Sequence, residues 1–336
     1  MTTQRRPLLL DHQSSTEVDT SQARVAPTIA PVAAQFLRGR YANEAGARDY
    51  RLFVPPAQSG KLLPLVVMLH GCTQDPDAFA AGTAMNEIAL SRGFFVLYPA
   101  QAQSANANRC WNWFERAHQQ RDAGEPAILA GMTREVMTQH AIDPRQIYVA
   151  GLSAGGAMAV ILGDTYPELY AAIGVHSGLP SGVAHDLPSA LTAMKGGHVI
   201  GAKPGLRLHI VQRSESHSSG PRSVPPTIVF HGDQDKTVRS TNAEQIIASC
   251  NRSASATPIA RDLKSQTESA RSSNGREYTR TSHRDADGHP ISELWTIHGA
   301  GHAWSGGRKE GSYTDPRGPN ASEEMIRFFF SHRRPA

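Results

Sequence analysis

The stretch IYVAGLSAGGAMAVIL, Ile147 to Leu162, decides the fold. Its first four residues are a continuous apolar run, as expected of a strand buried on both faces. From Ala154 the apolar residues continue with helical spacing to about residue 166. Between the two lies Gly151-Leu152-Ser153-Ala154-Gly155, a G-x-S-x-G pattern. In a 336-residue chain with 29 glycines, that pattern arises by chance in about one chain in five, so the pentapeptide alone means little. Its place between a strand and a helix means more, because a serine on so sharp a turn holds a strained backbone and an outward hydroxyl. Such a turn needs small neighbours, and Gly151, Ala154, Gly155 and Gly156 supply them. The hydroxyl would also sit at a helix N-terminus, where peptide dipoles favour developing negative charge. The plain alternative is a Gly-rich strand-to-helix turn without chemistry.

Working outward, Leu65–Leu69, Phe94–Tyr98, Ala171–Val175 and Thr227–Phe230 are apolar runs of the same kind, and Leu294–Ile297 is the last. Asp49–Val54 alternates and stops at Pro55-Pro56, which suits an edge strand. Helical spacing fills 78–92, 126–140, 240–250 and 320–332. Strand and helix in alternation, with strands buried on both faces, predict an α/β fold with a mostly parallel central sheet and helices on both faces. Residues 1–35 are polar and aperiodic and read as a flexible N-terminal extension. Residues 36–336 read as one catalytic domain with excursions. Residues 178–226, rich in Ser, Gly and Pro, form an insertion or lid with a short helix near 187–195, and 251–275 is a surface loop. Asp285-Ala286-Asp287-Gly288 joins Glu277–Thr281 to Ile291–Ile297 as a hairpin.

Composition narrows the function classes. Hydrophobic residues make up 39% and charged residues 19%, which is globular and not disordered. A net charge of +4, spread along the chain, gives no basic footprint for nucleic acid. No apolar run approaches the ~18 residues of a membrane span, so no membrane partner is expected. Before Asp11 the N-terminus offers only Leu8-Leu9-Leu10, short of the roughly 7–15 apolar residues of a signal peptide. That favours a cytoplasmic location and leaves secretion open. Three cysteines, Cys72, Cys110 and Cys250, are too few for a disulfide scaffold, and no His/Asp/Glu cluster has ligand spacing. No metal and no cofactor are expected.

In a sheet of this kind the chemistry collects at the carboxyl ends of the strands. A serine hydroxyl needs a positioned base, and on such a sheet the chain order is Ser, then an acid, then His. His231-Gly232-Asp233-Gln234-Asp235 follows the strand at 227–230, and His298-Gly299-Ala300-Gly301-His302 follows the strand at 294–297. Acid and base candidates thus appear where the geometry asks for them. Asp235, further out in its turn, is preferred to Asp233, a loop-capping residue. His302, beyond two glycines that let the loop curl back, is preferred to His298. Ser153 would attack an acyl carbon, His302 would carry the proton, and Asp235 would orient the imidazole. The oxyanion calls for two backbone amides, assigned to Ala154 and to Cys72 in Leu69-His70-Gly71-Cys72-Thr73-Gln74. His70 reads as a structural turn residue.

With these residues in place, the chain resembles the esterase family of poly(3-hydroxybutyrate) depolymerases and related feruloyl and acetylxylan esterases, on the α/β-hydrolase fold. The matching segments are LHGCTQ (69–74), RCWNWF (109–114), GLSAGG (151–156), HGDQD (231–235) and GAGHAW (299–304). The resemblance spans about 48–332 and carries the family's triad onto Ser153, Asp235 and His302. It implies a Cys72–Cys110 disulfide tying the oxyanion loop to the Trp111/Trp113 segment, with Cys250 a lone thiol. Trp111, Trp113 and Trp304 are candidates to line the acyl pocket, and core packing accounts for each equally well. The function expected is a cofactor-free serine esterase acting on short hydroxyalkanoate oligomers or polyesters. Feruloyl or acetylxylan esters are the close alternative, and a non-catalytic binding protein on the same fold is the distant one.

Overall fold

A computed structural model describes residues 1–2, 33–58, 60–197, 224–255, 262–273 and 275–335. The chain divides into two units, Met1–Pro31 and Val32–Ala336. Apart from residues 1–2, the expected N-terminal extension lies outside the described residues up to residue 32. The second unit is built on a ten-stranded sheet of order β1-β2-β4-β3-β5-β6-β7-β10-β9-β8. Its strands are β1 (Gln35–Asn43), β2 (Gly46–Val54), β3 (Leu63–Leu69), β4 (Phe95–Pro99), β5 (Ile142–Leu152), β6 (Ala172–His176), β7 (Thr227–Gly232), β8 (Lys264–Arg271), β9 (Glu277–Arg284) and β10 (Pro290–Ile297). From β4 through β3, β5, β6 and β7 to β10 all pairings are parallel. Antiparallel pairs flank this centre, β1–β2–β4 on one side and β10–β9–β8 on the other. This is the α/β-hydrolase architecture, with the parallel strands ending along one edge.

Every residue of β3, β4, β6 and β7 is buried, as a sheet covered on both faces requires. Helices α3 (Gly124–Gln139), α4 (Ala154–Thr165) and α6 (Thr241–Ser255) pack one face around Leu129, Met158 and Ile246. Helices α1 (Pro76–Thr83), α2 (Met85–Arg92) and α7 (Ala321–Phe329) pack the other around Phe79, Ile88 and Phe329. No helix among the described residues is long and apolar enough to cross a membrane.

Four sequence expectations change. The stretch at 78–92 is two helices, broken where Ala84 adopts φ 53°. Strand β2 is not at the edge, because β1 pairs along its whole length. The stretch at 251–275 is not only a loop, since α6 runs to Ser255 and Lys264–Arg271 forms β8. Nearly all of β8 is exposed, so it lacks the apolar alternation that betrays a half-buried strand. Asp285, Asp287 and His289 do share a ligand-like cluster, with donor atoms within 4.8 Å of one another. Asp285 there accepts the His289 amide at 2.8 Å, a turn-forming contact at the β9–β10 hairpin. Within 178–226, α5 (Leu187–Met194) starts on a reciprocal Asp186–Ser189 capping box, and residues 198–223 lie outside the described residues.

Candidate active site

Strand β5 runs into α4 through Ser153, which holds φ 57° and ψ −118°. A non-glycine residue keeps such a conformation only where its surroundings over-determine it. Glycines provide those surroundings. A Cβ on Gly155 would lie 2.1 Å from the Leu69 carbonyl oxygen, and one on Gly151 would lie 2.3 Å from the Gly155 carbonyl carbon. The Ser153 amide donates to the His176 carbonyl at 2.9 Å and its carbonyl accepts from the Ala157 amide at 2.9 Å. The backbone is therefore pinned on both sides. The hydroxyl makes no hydrogen bond with the other described residues, and nucleophile–base bonds of this type often tighten only when substrate is bound.

Asp235 follows β7 and His302 follows β10, and the two meet. The His302 Nδ1–H donates to Asp235 Oδ2 at 2.7 Å, with the carboxylate fully buried and the imidazole 13% exposed. That bond fixes the tautomer and leaves Nε2 to accept a proton. Oδ1 of Asp235 accepts the amides of Thr237 and Val238, each at 2.9 Å. Burial pushes this carboxyl up, but the His302 bond and charge and the Val238 amide outweigh it and hold the carboxyl below its ordinary range. The rival residues pair with each other instead. His298 donates to Asp233 at 3.0 Å near the surface, and the same carboxylate accepts the Gly299 amide at 2.8 Å. Asp233 and His298 thereby shape the loop that carries His302.

Two imidazoles beside the pair escaped the sequence reading as site residues. His176, at the carboxyl end of β6, is fully buried and stacks on Trp304 at 5.2 Å. It accepts the Ser305 amide at Nε2 (2.9 Å), while its own carbonyl receives the Ser153 amide. One residue thus links the serine turn to the loop beyond His302. Burial, then the neighbouring His231 and His302, keeps it well below the ordinary histidine range and hence neutral. His231 donates from Nε2 to the Val238 carbonyl at 2.8 Å and lies 3.5 Å from Asp235. The signal for both was available, since each is a polar residue at the end of a buried strand.

The loop Leu69–Gln74, which bears the candidate oxyanion amide of Cys72, is held from several directions. Cys72 and Cys110 are joined by a disulfide across 38 residues. The Thr73 amide donates to Asn108 O at 2.7 Å. Gln74 accepts the Gly71 amide at 2.8 Å and donates to Ser312 O at 2.9 Å. His70 donates from Nδ1 to Gly71 O at 2.8 Å and accepts the Gln101 amide at Nε2 at 3.1 Å. Burial pushes its imidazole down to about 4, so the turn rests on a neutral ring. Below the loop, fully buried Glu125 accepts the Asn112 amide (2.8 Å), Gln101 (2.5 Å) and Arg48 (3.2 Å). The Cys72 amide and the first amide of α4, from Ala154, have no acceptor among the described residues.

The tryptophans lie in the packing. Trp111 has no exposed surface and donates from Nε1 to His70 O at 3.1 Å, and Trp304, 1% exposed, donates to Ser322 at 3.1 Å. Trp113, 6% exposed, stands edge-on to Phe114 at 5.6 Å. Trp111 thus backs the loop after β3, and Trp304 the loop after β10, from the interior. Cys250 is a buried free thiol.

Comparison with known proteins adds a lineage to this geometry. The family model for esterase PHB depolymerase matches residues 48–267. Poly(3-hydroxyalkanoate) depolymerase C of Paucimonas lemoignei is 31% identical over 241 residues, covering 71% of this chain and 54% of that protein. A probable acetylxylan esterase A of Aspergillus fumigatus is 29% identical over 205 residues, covering 60% of this chain and 53% of its own. The chain spans about half the length of the curated relatives it matches. An acetyl xylan esterase from Aspergillus awamori shares the fold with a TM-score of 0.60 and 20% identity, over 84% of this chain and 94% of that one.

Proposed function

The chain belongs to the esterase PHB depolymerase family, and on that footing we propose that it is a serine esterase cleaving carboxylic esters through an acyl-enzyme. The observation that carries the reading is the His302–Asp235 bond of 2.7 Å, made by loops that follow two neighbouring parallel strands. Ser153 attacks the ester carbon while Nε2 of His302 takes its proton and returns it to the leaving alcohol. Asp235 holds the tautomer and stabilises the imidazolium. The amides of Cys72 and Ala154 receive the oxyanion. Water repeats the sequence in reverse and frees the acid. No step draws on a metal or cofactor.

The substrate class follows the relatives. Short hydroxyalkanoate oligomers or polyesters are the leading reading, supported by the Paucimonas depolymerase over 71% of the chain. Acetyl or feruloyl esters of plant polysaccharide are the second, supported by the Aspergillus fumigatus relative over 60%. Purified Ser153→Ala, with its circular dichroism unchanged, is expected to lose p-nitrophenyl butyrate cleavage by at least a thousandfold. Retained cleavage would remove the serine from the reaction.

A further inference from the structure

Tyr313 is the only aromatic residue among the exposed large hydrophobic side chains of the described residues, at 47% exposure. It also holds φ 53°, a left-handed backbone that an aromatic residue rarely adopts. A strained and exposed aromatic ring contributes little to the core, so its place asks for another account.

The surroundings supply one. The Tyr313 carbonyl accepts the Trp304 amide at 2.7 Å, two residues past His302. Its hydroxyl lies 3.2 Å from Thr73 Oγ1, next to Cys72. Thr73 already donates its proton to the Cys72 carbonyl at 2.6 Å, so Tyr313 is the donor in that pair. The neighbouring Ser312 is held by Gln74 through its carbonyl, at 2.9 Å, and its hydroxyl, at 3.1 Å. The ring is thereby fixed between the loop bearing the candidate oxyanion amide and the loop bearing the candidate base.

We propose that the Tyr313 ring is a specificity-determining surface, a stacking platform for the apolar chain of an ester substrate that extends beyond the reacting carbonyl. This rests on the serine-esterase reading and deepens it by naming the extended, chain-bearing ester as the preferred class over the acetyl ester. A fixed ring with its hydroxyl turned to Thr73 offers its face and edge to such a chain at little entropic cost.

The test compares kcat/KM for p-nitrophenyl octanoate over acetate, and for the methyl ester of the 3-hydroxybutyrate trimer over that of the monomer. Tyr313→Ala is expected to lower at least one of these ratios about tenfold, and Tyr313→Phe, which keeps the ring and loses only the Thr73 bond, to lower it clearly less. Tyr313→Asn, whose side chain tolerates the left-handed backbone, serves as a second ring deletion should the alanine variant not fold. Both ratios unchanged in the ring deletions would overturn the role, as would an equal loss in Tyr313→Phe. Loss of phosphonate labelling at Ser153 in Tyr313→Ala would also overturn it, by making Tyr313 a support of the oxyanion loop. Wild-type protein that cleaves none of the four esters would remove the esterase reading itself, whereas cleavage with unchanged ratios removes only Tyr313.

Discussion

At the scale of single residues, the candidate site consists of one strained turn and one buried carboxylate hydrogen-bonded to an imidazole. Ser153 keeps its φ of 57° because Gly151 and Gly155 let the turn press against the ends of β3 and α4. Asp235 keeps its charge in the interior because three donors reach it, His302 and two amides. A buried carboxylate stripped of its partner is costly, so His302 both uses and supports Asp235. His302→Ala is accordingly expected to lower kcat by on the order of 10³–10⁶, read with p-nitrophenyl butyrate under saturating substrate. A loss below about tenfold would shift the base to another histidine, and His298, bound to Asp233, would be the first to test.

At the scale of elements, the Cys72–Cys110 link ties the loop bearing the candidate oxyanion amide to the segment before Trp111. Closing a loop of 38 residues in the unfolded chain is worth about 4 kcal/mol in the chain-entropy account. Cys110→Ser is therefore expected to lower the melting temperature and to reduce kcat, because Cys72 then loses its tether to the Asn108–Trp111 segment. A melting temperature equal to wild type would show that the hydrogen bonds of His70, Thr73 and Gln74 hold the loop without it. The parallel strands were legible in the sequence because burial on both faces writes itself as unbroken apolar runs, as in Leu65–Leu69. Asp235 and His302 were legible because they sit just beyond such runs. Strand β8 was hidden because pairing with β9 along one edge demands backbone hydrogen bonds and no apolar side chains. The break at Ala84 was hidden because a left-handed alanine leaves no mark in composition. Tyr313 was hidden because its position arises from contacts between segments some 240 residues apart.

At the scale of the whole molecule, buried histidines tie stability to pH. Burial pushes His70 and His332 down to about 4, while in the unfolded chain both titrate at the ordinary value near 6.5. As pH falls from 6.5 to 4 the unfolded chain takes up protons that the folded one refuses, so folding loses stability across that window. The loss approaches on the order of 3 kcal/mol per histidine at the lower end. Asp235, held below its ordinary range, adds a further loss at still lower pH. Thermal melts are expected to show a steady fall in melting temperature from pH 6.5 to 4 and a plateau just above 6.5. A flat profile through that window would mean that these rings are solvated when folded. The central claim is that a serine, an imidazole and a carboxylate from three separate strand ends act as one nucleophile. Peptide mapping after reaction with a fluorophosphonate tests it most directly: the adduct is expected on Ser153 alone and is expected to vanish in His302→Ala, whereas an adduct on another serine, or equal labelling without the imidazole, would contradict it.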